Sequence, residues 1–224
     1  MSVTVLVMTD GRTGYLADAI ASLEERVTGP VTSRILHDDT GDPVHRAHLR
    51  RRYPQWDVIG TPTRSGFGGA YRHAYNWIIS NDSNPWVFST EDDFEYVRDV
   101  DLDAFIYVLE RHQNLTQMAL RRQAWNHIER AAGGVVEANP RAYTECSDMR
   151  GHTWLEHREF HTTNPSLVPR RILLDHPWPT VPHSEGVFAA CLFADPSKHA
   201  AYWGARDSGH WVTHIGDERV GRGY

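Results

Sequence analysis

The chain has 224 residues, 40% hydrophobic and 23% charged, with a net charge of −6 when histidine is neutral. That is enough chain for one large domain or two small ones. No apolar run approaches the ~20 residues that a membrane-spanning helix needs, so no integral membrane association is expected. The acidic balance argues against a general nucleic-acid binder, although a nucleic-acid acceptor is not excluded, with Arg50-Arg51-Arg52 and Arg121-Arg122 as possible local basic patches. Cys146 and Cys191 form neither a disulfide framework nor a zinc spacing and read as reduced packing residues. The opening residues carry no basic leader, so the expected compartment is the cytoplasm.

In chain order, Val3 to Met8 is a short apolar run ending in Thr9-Asp10-Gly11, a strand followed by a loop. Leu16, Ile20, Leu23 and Val27 recur at helical spacing until Gly29-Pro30 stops them. Ser33 to Leu36 is a second strand, ending in His37-Asp38-Asp39, and Asp57 to Gly60 a third. Gly66-Phe67-Gly68-Gly69 leads into a helix over about 70–79 with Tyr71, Ala74, Tyr75 and Ile78 as its apolar face. Trp86 to Thr90 is a fourth strand, Asp101 or Asp103 caps a further helix, and Met118 to Leu120 begins another strand. This alternation predicts an α/β fold, a mostly parallel central sheet with helices on both faces. Beyond about Arg122 the periodicity weakens and no linker appears, so the second half reads as a loop-rich portion of the same domain.

The functional signal lies at the strand ends. Thr9, Asp10 and Arg12 follow the first strand, Asp38 and Asp39 the second, Arg64 the third, and Glu91-Asp92-Asp93 the fourth. Parallel strands deliver all of these to one sheet edge, where open α/β sheets bind ligands. Three adjacent carboxylates are costly to desolvate together; a hard divalent cation, Mg²⁺ or Mn²⁺, gives such a cluster a purpose. Asp38 or Asp39 suits a base or ribose, Arg12 or Arg64 a diphosphate, and Gly66 permits close backbone approach at a helix N-terminus. The dinucleotide and Walker patterns are both missing, which disfavours a dinucleotide enzyme or a P-loop NTPase.

These segments, Met8-Thr9-Asp10-Gly11-Arg12, His37-Asp38-Asp39-Thr40-Gly41-Asp42, Ser65-Gly66 through Asn76, and Glu91-Asp92-Asp93, resemble in order and spacing a glycosyltransferase of the GT-A fold, similar to the family 2 enzymes. The resemblance covers roughly residues 1–125, the nucleotide-sugar-binding half; residues 126–224 would be the acceptor and catalytic half of a single domain. It departs from the family pattern at Arg64-Ser65, where an asparagine often precedes the glycine, and in an opening loop without the Pro-x-Tyr-Asn wording. It implies that Asp93, the last acid, ligates Mn²⁺ or Mg²⁺, and that Asp92 or Glu91 reaches the ribose or metal-bound water.

An inverting transfer needs a base for the incoming hydroxyl and charge stabilisation on the departing diphosphate. Among Asp148, Glu156, Glu159, Asp175 and Glu185, the favoured base is Glu185, in Pro182-His183-Ser184-Glu185-Gly186, with Asp148 in reserve; the other reading of Glu185 is a first-turn helix cap. Many members of the fold bring a late histidine to the metal; His214 between Val212 and Ile215 would take that part here, with His210 its rival, and Arg219 or Arg222 would grip the diphosphate. Asn164-Pro165 opens a proline-pinned loop resembling a segment beside the acceptor cleft, and Trp154, Trp178, Trp203 and Trp211 are possible sugar platforms or packing residues. The expected reaction is transfer from a nucleotide-diphosphate sugar, a UDP-sugar, to an unknown hydroxyl-bearing acceptor. A nucleotidyltransferase and a non-catalytic nucleotide- or carbohydrate-binding protein are the alternatives.

Overall fold

The computed structural model describes residues 1–216. The elements are β1 (Val3–Thr9), α1 (Thr13–Arg26), β2 (Val27–Thr28), β3 (Val31–Asp38), α2 (Pro43–Arg52), β4 (Asp57–Ile59), α3 (Gly66–Asn81), β5 (Trp86–Glu91), β6 (Phe94–Tyr96), β7 (Val100–Asp101), α4 (Leu102–Arg111), β8 (Leu115–Ala119), α5 (His127–Ala132), α6 (Val135–Ala138), β9 (Thr144–Ser147), β10 (Thr153–His157), β11 (Ser166–Pro169), α7 (Arg170–Asp175), α8 (Ser184–Phe193), β12 (His199–Trp203) and β13 (Val212–His214). Nine strands form one sheet in the order β4-β3-β1-β5-β11-β8-β12-β10-β9. Strands β4, β3, β1, β5, β8, β12 and β9 run one way, and only β11 and β10 oppose them. The mostly parallel α/β fold read from the sequence is the fold observed.

Strand β1 is buried along its whole length because both faces are covered. Val3, Val5 and Val7 meet Leu16, Ile20 and Leu23 of α1 and Phe105 and Leu109 of α4 on one side. Leu6 and Met8 face Tyr71, Ala74 and Ile78 of α3 and Phe188 of α8 on the other. Helix α4 starts where Asp101 accepts a hydrogen bond from the Asp103 N–H at 2.9 Å. In register, Thr9 lies opposite Asp38, and Met8 opposite Glu91, so the polar ends of β1, β3 and β5 share one edge.

Several expectations are revised. Helix α2 fills a stretch in which the sequence reading places no element; Leu49 is its only buried residue, so it has no apolar stripe to reveal it. The stretch beginning at Asn164 is not simply a loop before a helix: Ser166–Pro169 pairs between β5 and β8. Residues beyond Arg122 carry four strands of the main sheet, more regular structure than the weak periodicity suggests. Arg121 and Arg122 form no basic patch: Arg121 is buried against the carbonyls of Ala205 and Arg206, and Arg122 pairs with Glu129 at 2.6 Å. Cys146 packs half-buried against the core, whereas Cys191 is exposed. Among the described residues no helix is long and apolar enough to cross a membrane.

His157 is a buried oddity. Its ring stacks on Tyr202 at 5.0 Å between Tyr143 and Phe160, and neither ring nitrogen finds a hydrogen-bond partner among the described residues. Burial, and then His199, push its pKa down to about 3. The unfolded chain therefore takes up a proton that the folded chain refuses, and stability is lost as pH falls below the free histidine value. We expect His157→Phe to stabilise the fold by about 1–3 kcal/mol at pH 7, the cost of an unsatisfied buried polar group. Its advantage should grow by roughly 2 kcal/mol at pH 5. Urea melts of both proteins at the two pH values check this; parallel pH dependences would count against it.

Candidate active site

Several segments meet at the carboxyl edge of the sheet. Strands β1, β3 and β5 end there. The antiparallel strand β11 begins there, which brings Thr162, Thr163 and Asn164 beside Glu91. Strand β8 ends there as well, delivering Arg122 and Trp125. The short pair β6–β13 places His214 opposite Phe94, next to the acid triplet.

The acids are deeply set. Asp92 and Asp93 are fully buried. Asp92 accepts a 2.6 Å hydrogen bond from the Thr9 hydroxyl and another from the Arg12 guanidinium. Burial nevertheless pushes its pKa up to about 7, with Arg12 opposing. Burial alone would raise Asp93 too, but His214 and Arg12 outweigh it and hold that carboxyl well below the usual range. Arg12 Nη1 donates to Asp93 Oδ2 at 2.6 Å, and His214 Nε2 lies 3.3 Å from the same oxygen. Glu91 receives the Tyr71 hydroxyl at 3.3 Å, and burial, then the Asp93 charge, drive its pKa well above the usual range.

His214 is positioned from several sides. Its backbone N–H donates to Gln123 Oε1 at 2.8 Å, and Gln123 Nε2 donates back to its carbonyl at 3.0 Å. Trp125 and Phe94 hold the imidazole at centroid distances of 4.2 and 4.8 Å. Its Nδ1 is buried with no hydrogen-bond partner among the described residues.

Two lobes of about 370 and 830 Å³ open at this edge. The smaller is lined by Arg122, Phe160, Asn164 and Tyr202, the larger by Gly66, Phe67, Pro182 and His183. Glu91, Trp125, Glu185 and His214 line both. Glu185 therefore stands where the lobes join. It lies in the first turn of α8, yet its carboxylate does not cap that helix: Oε1 accepts the Thr163 N–H at 2.6 Å and the Thr163 hydroxyl at 3.3 Å. Burial raises its pKa against those bonds. The residue before that helix, His183, has φ 55 and is the only non-glycine with positive φ among the described residues. Such strain clusters at functional sites.

Other sequence candidates fall as follows. Asp38 is fully buried and engaged by Thr40 and by His45 Nδ1 at 3.1 Å. Asp39 accepts from the backbone N–H groups of Ser65 at 2.8 Å and Gly66 at 2.9 Å, so it ties down the loop that starts α3. Thr9, Asp10 and Asp39 line a small neighbouring recess with Phe67 and Tyr71. Arg64, partly exposed, reaches Asp10 Oδ2 at 3.1 Å. Gly66 has φ 70 and open space where a side chain would stand. Asp148 binds His152 at 2.8 Å on the loop between β9 and β10, and His210 is exposed. Arg219 and Arg222 lie outside the described residues. Trp154, Trp178 and Trp211 are buried; the tryptophan that lines the cleft is Trp125, which sequence reasoning missed. The signal for it was its position just past the end of β8, at the same edge as the acids.

Among the described residues no three His, Cys, Asp or Glu side chains converge to hold a metal unaided. Asp93 Oδ2 and His214 Nε2 do present two donors 3.3 Å apart, one hard oxygen and one imidazole nitrogen. That pair is chemically compatible with Mg²⁺ or Mn²⁺ provided that further oxygen donors from outside the chain complete the shell.

Compared with known proteins, the chain matches no protein-family model and no curated protein sequence. Solved structures do match. S. aureus TarS 1–349 in complex with UDP-GlcNAc superposes with a TM-score of 0.62 at 14% identity, over 98% of this chain and 62% of that one. The mannosyltransferase PcManGT from Pyrobaculum calidifontis in complex with GDP-Man and Mn²⁺ gives 0.64 at 15% identity, over 97% and 57%. GalNAc-T7 with UDP, GalNAc and Mn²⁺ gives 0.67 at 8% identity, over 96% and 44%. The chain thus spans about half the length of these proteins. It has their GT-A-type glycosyltransferase fold.

Proposed function

We propose that this chain is a metal-dependent, inverting glycosyltransferase that moves a sugar from a nucleoside-diphosphate sugar, a UDP-sugar, to a hydroxyl acceptor. The carrying observation is the cleft in which Glu185 and His214 both line the junction of two lobes, with Asp93 beside His214. The ligands in the neighbours' structures, UDP-GlcNAc, GDP-Man and UDP with Mn²⁺, support the donor class. In this reading residues 1–125 hold the donor, residues 126–224 the acceptor, within one family 2-like domain.

Asp93 and His214 would hold a Mn²⁺ or Mg²⁺ ion, whose chemistry when bound is to offset charge developing on the departing diphosphate. The chain's own groups do the rest. Glu185, desolvated between the lobes, takes the proton of the acceptor hydroxyl as the oxygen attacks the anomeric carbon. Thr163 fixes the carboxylate by two bonds to one oxygen. Gly66, with no side chain over the larger lobe, leaves room for the donor at the N-terminus of α3. Arg64 supplies a partly exposed guanidinium for the diphosphate. Trp125 offers a flat face on which an acceptor or donor sugar stacks.

Incubation with UDP- and GDP-sugars, with Mn²⁺, Mg²⁺ or chelator, tests this reading. Metal-dependent release of the nucleoside diphosphate is expected. Release of pyrophosphate instead would make the chain a nucleotidyltransferase. A thermal shift with UDP but no turnover across the donor panel would make it a binding protein.

A further inference from the structure

The acidic mouth already contains a cation of the chain's own. Arg12 spreads its guanidinium across three carboxylates: Nε donates to Asp10 Oδ1 at 2.7 Å, Nη1 to Asp93 Oδ2 at 2.6 Å, and Nη2 to Asp92 Oδ1. The Asp93 oxygen it holds is the one that His214 Nε2 approaches at 3.3 Å. Arg12 thus bonds the same oxygen that would ligate the metal of the proposed function, and the present inference rests on that metal site.

We propose that Arg12 is a built-in counter-ion that neutralises the acid cluster before the donor arrives and competes with the divalent cation for Asp93. The argument is electrostatic. Fully buried Asp92 and Asp93 repel each other unless a positive charge lies between them. A divalent cation bound to Asp93 Oδ2 would come within a few ångströms of a guanidinium bonded to the same atom, and like charges that close oppose each other strongly. Lysine relieves such a clash by losing its proton, but guanidinium stays charged. Arg12 must therefore yield Asp93 when the metal binds.

The local structure allows this. The Arg12 side chain keeps 18% of its surface in solvent, so it is not sealed inside the fold. The residue before it, Gly11, has φ 102, a backbone state that L-residues with side chains rarely adopt. Tyr15 lies 5.7 Å from the guanidinium and offers a ring face. The consequence is order: the ligand-free chain binds metal weakly, and the diphosphate, which adds oxygen donors for the metal and a new anion for Arg12, tips the exchange.

The test uses Mn²⁺ alone, without any nucleotide sugar. Mn²⁺ binding to the wild-type chain and to Arg12→Met, which keeps the aliphatic stem without the charge, is followed by the paramagnetic resonance signal of free Mn²⁺. The variant should bind roughly tenfold tighter or more, as removal of one neighbouring like charge predicts. Thermal melts give a second readout: without metal Arg12→Met should melt below wild type, and Mn²⁺ should raise its midpoint more than that of wild type. If Arg12→Met is unfolded without metal, Mn²⁺ should restore its circular dichroism, and no restoration overturns the proposal. Equal or weaker Mn²⁺ binding by a folded variant also overturns it while leaving the metal site intact. Failure of both proteins to bind Mn²⁺ also overturns it; because oxygen donors from a diphosphate complete the metal's shell, Mn²⁺ binding repeated with UDP present then tells whether the metal site itself fails. Transfer activity does not enter these outcomes, so failure of the enzymatic reading registers separately as absence of diphosphate release.

Discussion

Glu185→Gln should reduce sugar transfer by about 10²–10⁴-fold in kcat, the usual contribution of a positioned general base. The amide keeps the size of the side chain and can still accept the Thr163 N–H bond, now 2.6 Å, so the fold and the donor KM should stay near wild type. That split between kcat and KM marks loss of an interaction made only in the transition state. The pH profile adds a second signature. Burial raises the Glu185 pKa above the ordinary glutamate value. The base works ionised, so wild-type kcat/KM should rise with pH through that raised value, and the variant should lose this limb. A variant with full kcat would reassign the base, and Glu91, which lines both lobes, would be the next carboxylate to test.

Asp93→Asn should cost on the order of 10³-fold in kcat/KM, because several kcal/mol of charge stabilisation depend on the cation and each decade is about 1.36 kcal/mol. The substitution should also abolish the difference between reactions run with Mn²⁺ and with chelator. Local packing makes the isosteric amide the right probe. The Ile215 N–H donates to the Asp93 carbonyl at 2.8 Å, and a side-chain carbon on Gly216 would collide with the Asp93 carboxylate. The chain near its described end thus lies directly over this acid. Steady-state kinetics with and without Mn²⁺ check the result; full metal-dependent turnover by the variant would remove Asp93 from the metal site.

Strands β1, β3, β4 and β5 and helices α1, α3 and α4 were legible because they are short apolar runs or obey a single periodicity, whereas the two- and three-residue strands β2, β6 and β7 are too short to show one. Leu16, Ile20 and Leu23 repeat at helical spacing, and β1 and β5 are short apolar runs cut off by polar residues. Helix α2 was not, since a helix with one buried residue has no stripe; its legible sign was Asp42-Pro43, where Asp42 accepts the Val44 N–H at 2.8 Å. Strand β11 was masked by prolines, Pro165 just before it and Pro169 as its last residue, which read as loop although four residues between β5 and β8 are enough to join the sheet.

At the site, residue types and order along the chain were sufficient to say that acids, arginines and a glycine-led helix reach one sheet edge, because parallel strands leave no other destination for their ends. Which of these side chains are already engaged was not decided there. Asp38 is engaged by Thr40 of its own loop and by His45, Asp39 by the distant loop that opens α3, Arg12 is drawn among three carboxylates, and Trp125 rather than Trp154 or Trp178 reaches the cleft. Those outcomes depend on contacts between residues up to 121 positions apart, as between Asp93 and His214. Local pattern carries the direction of a strand and the face of a helix; the pairing of charges across a sheet edge is set only when the whole chain has packed.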